Sequence, residues 1–247
     1  MKDFTLGCCT YTVDGEFQRA PRDMLYKLAD LGYTSVELGY FSPLGTRELK
    51  DTLRKAGLRV TSIHMDFDTQ SRYRAHVMDF ANEIGARYLG IPVPKEGMTD
   101  ADGYKAGAEA FNELGKVYKE NGFKLIYHNH HMEFQNWDGK TGHDILFENT
   151  DPEYVGFQLD TFWLAVAGLK PEEYIKKFKG RTDVIHFKDK KKGADDVCAV
   201  GSGELDFEAI LKSTEEIGTH TILVEQDGGC FEDAKFSYEY LNKLLNS

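Results

Sequence analysis

Asp160, His186 and Glu225 each stand at the end of a short run rich in β-branched and aromatic residues, and the three runs follow one another along the chain. If those runs are neighbouring strands, the three side chains are neighbours at one end of a sheet. An ionisable side chain turned into a packed interior costs several kcal/mol unless it is paired or binds a cation. Mixed imidazole and carboxylate donors suit zinc, manganese, cobalt or iron, whereas magnesium favours oxygen. The expected cofactor is one divalent metal, manganese, zinc or cobalt. Each residue also has a plainer reading: Asp160 as a helix N-cap, His186 as a hydrogen-bonded interior histidine, Glu225 as the partner of Lys188.

Further candidates stand at the ends of other runs. Glu37 lies in SVELG, His64 ends RVTSIH, and KLIYH runs into His128, Asn129, His130 and His131. Side chains alternate along a strand, so these four cannot all face inward. His128 and His130 stay as alternatives for the inward position, and His131 is set aside. Glu37 and His64 are balanced between a site role and a structural hydrogen bond. His76, His143 and His220 fall on helices or loops and receive no role.

The elements that must position these residues alternate strictly. Strands are expected over 4–8, 35–39, 59–64, 88–93, 124–128, 155–159, 183–187 and 221–225. Helices are expected near 21–31, 46–56, 71–84, 101–121, 141–148, 171–178, 206–217 and 234–245. Glycines 32, 57, 85, 122 and 218 stand where helices should close. Strict alternation implies a parallel sheet, and eight units in about 250 residues favour a closed (β/α)₈ TIM barrel over an open sheet. Gly7-Cys8-Cys9-Thr10 is not a dinucleotide-binding fingerprint. The whole chain, 1–247, is read as one α/β barrel domain.

The composition is that of a globular protein, 41% hydrophobic and 29% charged. A net charge of -11 argues against a nucleic-acid partner. The Lys190-Lys191-Lys192 run reads as a solvated loop. Four cysteines without a CxxC pair exclude a disulfide framework and point to a reducing compartment. No signal-like segment and no membrane-length apolar run is present, so a cytoplasmic location without a membrane partner is expected.

The motifs VELG (36–39), SIH (62–64), YHNHHMEF (127–134), FQLDTFW (157–163), VIHFKD (184–189) and LVEQD (223–227) together resemble the xylose isomerase-like barrel superfamily. It includes ketose epimerases, inosose dehydratases and the endonuclease IV group. The resemblance implies a metal held by Asp160, His186 and Glu225, with His128 where relatives often carry glutamate. It implies a metal-dependent sugar isomerase or epimerase, working by proton transfer beside a carbonyl. Glu225 would move the proton, helped by His128 or His130. His64, Glu37, Glu133, Lys188 and Trp163 would touch a small sugar substrate, with Trp137 and Phe162 as further apolar faces. Whether a sugar phosphate is bound stays open, with 190–204 and its Gly201-Ser202-Gly203 as the loop to consider. Barrels of this kind are often homo-oligomers. The alternatives are a 3-keto-glycoside or inosose lyase on the same site, an endonuclease IV-like phosphodiesterase disfavoured by the charge, and a non-catalytic sugar-binding barrel.

Overall fold

The β-branched runs cannot bury both faces as isolated strands, and the amphipathic stretches between them cover the outer face of a sheet that closes on itself. The structure is a computed structural model and describes residues 4–39, 42–137 and 139–246. Eight strands form the barrel: β1 (Thr5–Cys9), β2 (Ser35–Gly39), β3 (Arg59–His64), β4 (Tyr88–Ile91), β5 (Lys124–His128), β6 (Val155–Asp160), β7 (Val184–Phe187) and β8 (Thr221–Val224). They pair in parallel and in chain order, and β8 returns to β1. The expected (β/α)₈ barrel is the fold. Strand limits differ by one or two residues: β4 ends at Ile91, before Val93, and β8 stops at Val224, one residue short of Glu225.

The helices Pro21–Leu31 and Thr46–Ala56 match expectation. The latter closes on Gly57 at φ 72°, a left-handed conformation that costs a side chain with a Cβ. The stretch expected as one helix over 71–84 is two, Phe67–Arg72 and Arg74–Ile84, broken at Tyr73. The Asp66 carboxylate accepts the Thr69 amide at 2.8 Å and so starts a helix earlier than the apolar spacing suggested. The segment 171–178 is a four-residue α-turn followed by 3₁₀ geometry. Helices at Asp14–Arg19 and Thr161–Val166 were not expected, nor were two-stranded hairpins after β5 and β7.

Between β2 and β3 the register slips at Glu37: Val36 faces Val60, whereas Glu37 faces Ser62. Such a bulge re-aims side chains, and here it sets Glu37 against the Ser62 hydroxyl. Gly90 of β4 lies beside His64, and a Cβ there would fall 2.1 Å from the imidazole. The glycine makes room for the ring.

Candidate metal centre

The C-terminal ends of the strands bring His128, Asp160, His186 and Glu225 together. All four are buried, and one donor atom from each lies within 4.8 Å of the others. Asp160 and His186 are paired in register across β6 and β7. Glu225 follows β8, its amide bonded to the Phe187 carbonyl. His128 ends β5 with its ring centroid 4.7 Å from that of His186.

His128 Nδ1 and Asp160 Oδ2 are buried without a hydrogen-bond partner, while His186 Nδ1 and Glu225 Oε2 face each other as an ion pair. One such atom in an interior is already costly. Two imidazoles and two carboxylates with donor atoms this close together form a donor set fit for a borderline divalent cation.

The electrostatics agree. Burial disfavours charge on His186, yet Glu37 and Glu225 on either side raise its pKa well above the ordinary value. Burial, opposed by Lys188, raises that of Asp160 to about 7. Burial and the neighbouring His186 hold His128 neutral, with a pKa well below normal. Burial opposes charge on Glu225 too, but Lys188 and His186 keep it well below the usual range. The carboxylates demand a positive charge between them, and His186 is the group that takes a proton in its place.

Asp160 has two tasks. Its Oδ1 accepts the Trp163 amide at 3.0 Å and caps the helix Thr161–Val166, while Oδ2 faces the quartet. The plainer N-cap reading and the ligand geometry therefore coexist. Asn129 holds the Asp160 amide at 3.1 Å. The Thr161 hydroxyl donates to the Lys188 carbonyl at 2.8 Å and accepts the Lys188 amide at 2.9 Å, tying the ends of β6 and β7.

Lys188 is buried, with Nζ 2.6 Å from Asp227 Oδ2 and 3.4 Å from Glu225 Oε1. The Lys188–Glu225 pairing therefore exists alongside the quartet. Nζ also stands 5.1 Å from the centre of the Trp163 ring, which packs on His130 at 5.0 Å and His131 at 5.2 Å. Burial lowers the His130 pKa to about 4. His130, Lys188 and Trp163 thus border the quartet.

Other expected residues lie elsewhere. Glu37 and His64 sit one layer deeper, beside Ser62 and Gln158, which precede His64 and Asp160 by two positions on their strands. Glu133 is buried with both oxygens engaged, by the Tyr127 hydroxyl at 2.6 Å and the His130 amide at 3.1 Å. It braces the loop after β5. The Gly201-Ser202-Gly203 loop offers no vacant amide nest, because the Asp189 carboxylate already accepts the amides of Gly201, Gly203, Leu205 and Lys190. Ser62 and Gln158 escaped the sequence reading. Their signal was a polar residue two positions before a site residue, on the same face of an otherwise apolar strand.

The model of the family described as xylose isomerase-like TIM barrel matches residues 25–241. The chain belongs to that family. It is 25% identical, over 231 residues, to an inosose dehydratase of Clostridium perfringens, covering 77% of this chain and 76% of that protein. The crystal structure of a sugar phosphate isomerase/epimerase from Parabacteroides distasonis superposes with a TM-score of 0.84 at 26% identity, over 98% of this chain and 94% of that one. A protein named IOLI, crystallised with a bound zinc atom, shares the fold with a TM-score of 0.76 at 15% identity, covering 98% of each chain. Among the described residues no helix is long and apolar enough to cross a membrane.

Proposed function

We propose that this chain is a metal-dependent enzyme that moves a proton at the carbon beside a carbonyl of a small sugar or cyclic polyol derivative. The observation that carries this reading is the buried quartet His128, Asp160, His186 and Glu225, with one donor atom of each within 4.8 Å of the others at the end of the barrel where such folds do chemistry. When bound, manganese, zinc or cobalt would polarise the carbonyl and stabilise negative charge developing on its oxygen. Glu225 removes the proton and returns it. Lys188, 3.4 Å from Glu225 Oε1, keeps that carboxylate charged and ready to accept. His130 and Lys188 hold substrate hydroxyls, and Trp163 covers one face of the substrate and keeps water away. Likeness to the Parabacteroides isomerase/epimerase supports this assignment. A cytoplasmic location belongs to the same reading and is supported by four free cysteines.

The second reading is elimination, in which the same proton abstraction is followed by loss of water or another leaving group. The inosose dehydratases among the relatives favour it. His128 also leaves Glu225 and Asp160 as the carboxylates of the quartet, and one base suffices for elimination.

The test is to load the purified chain with manganese, zinc or cobalt and offer ketoses, inososes and 3-keto-glycosides in deuterated water. Isomerisation or epimerisation gives a product of substrate composition carrying deuterium, whereas dehydration gives one that has lost water. Turnover that survives Glu225→Gln would remove Glu225 from its role. A chain that binds no divalent metal would sink both readings.

A further inference from the structure

Beneath the quartet lies a second set of polar side chains to which the proposed function gives no task. Glu37 is fully buried on β2. Its Oε2 accepts the Ser62 hydroxyl at 2.6 Å and the Gln158 amide at 2.7 Å, and His64 Nε2 lies 3.2 Å from the same oxygen. His64 Nε2 is also 2.7 Å from Gln158 Oε1. The other oxygen, Oε1, accepts the Cys9 thiol at 3.4 Å and stands 3.0 Å from His186 Nε2. His186 therefore lies between two acidic groups, with Nε2 toward Glu37 and Nδ1 toward Asp160 and Glu225.

An imidazole binds a metal through a nitrogen that bears no hydrogen, so its other nitrogen carries the hydrogen and needs an acceptor. Glu37 Oε1, 3.0 Å from Nε2, is the acceptor within reach, close enough to pair as the ring turns toward it. Ser62 and Gln158 occupy Oε2 and so fix the rotation of the carboxylate that leaves Oε1 for His186. The bulge that sets Glu37 opposite Ser62 serves the same end.

We propose that Glu37 is a positioning residue: held by Ser62, Gln158 and His64, it fixes the ring of His186 so that Nδ1 faces the cation site. This rests on the reading of the quartet as a cation site. Donor atoms of Glu37, His64 and His186 also lie within 4.8 Å of one another, which raises a second cation site as the competing idea. Glu37 Oε2 and His64 Nε2 are already engaged by Ser62 and Gln158, and a clamp uses those bonds where a second ion would break them.

The experiment measures cobalt(II) binding to the purified full chain and its Glu37→Gln and Ser62→Ala variants. The readouts are affinity by chelator competition, stoichiometry, the visible cobalt spectrum, and the unfolding midpoint of the metal-free proteins. The clamp predicts one cobalt per chain. It predicts affinity about 10- to 100-fold weaker in Glu37→Gln with an altered spectrum, and a loss of a few-fold in Ser62→Ala, where the carboxylate remains. A purely structural role would lower the unfolding midpoint and leave affinity and spectrum unchanged, and that result overturns the clamp. Two cobalt ions per chain, one of them lost in Glu37→Gln, overturn it in favour of a second site. Should Glu37→Gln not fold, wild-type affinity in Ser62→Ala overturns it equally. No cobalt in the wild-type chain removes the cation reading and the clamp together, whereas equal binding by all three proteins removes the clamp alone.

Discussion

Nδ1 of His186 and Oε2 of Glu225 face each other at contact distance, an ion pair that joins the ends of two neighbouring strands. Asp160 Oδ2 lies 3.9 Å from the same His186 nitrogen, and a donor atom of His128 lies within 4.8 Å of the other three.

Asp160→Asn and Asp160→Ala separate the two tasks of Asp160. Asparagine is as good an N-cap as aspartate, whereas alanine costs about 1 kcal/mol. Both variants should lose the metal after dialysis, as read by elemental analysis. Only the alanine variant should also unfold about 2–4 °C lower in its metal-free form. Metal retained in Asp160→Asn would contradict the ligand role.

Lys188→Met removes a buried ammonium next to Glu225. That charge repels a cation bound by the same carboxylate. Its removal should tighten metal binding at least tenfold, because one unit-charge repulsion at an effective dielectric near 20 over about 6 Å is roughly 3 kcal/mol. Calorimetric titration with zinc or manganese measures this. Weaker binding in the variant would mean that Lys188 mainly orients Glu225.

His143 sets a pH dependence of stability away from the site. It is buried among Phe134, Phe157, Tyr174 and Phe178, with Nδ1 3.0 Å from the Tyr174 hydroxyl. Burial lowers its pKa from 6.5 to about 3. Between those values the unfolded chain binds a proton that the folded chain does not, so stability falls as pH drops from 6.5 toward 3. Above 6.5 this contribution is constant. At about 1.36 kcal/mol per pH unit it amounts to about 5 kcal/mol over the whole range. Urea unfolding of His143→Gln between pH 7 and pH 4 should show a shallower loss than the wild type, and parallel curves would refute the assignment.

Gly90→Ala places a methyl group against the His64 ring. The expected cost is about 1–3 kcal/mol of overpacking, read as a lower unfolding midpoint, with His64 displaced from Gln158. An unchanged midpoint would show that the ring has room to turn aside.

The sequence by itself determined the barrel, its strand order and the rim residues that meet. The reason is local: strands carry period-two patterns, helices close on glycines such as Gly57, and β6, β7 and β8 follow one another, so Asp160, His186 and Glu225 had to be neighbours. Only the tertiary structure decided depth and direction. It placed His128 with the quartet and His130 against Trp163, a choice that alternation left open. It set Glu37 and His64 a layer beneath the quartet, because closure of the barrel and the bulge at Glu37 turn them toward Ser62 and Gln158. It filled the amides around Gly201 and Gly203 with the Asp189 carboxylate, a loop contact that no local pattern records. Which of two polar side chains joins the quartet and which meets another side chain depends on distances across the barrel, and those exist once the sheet has closed.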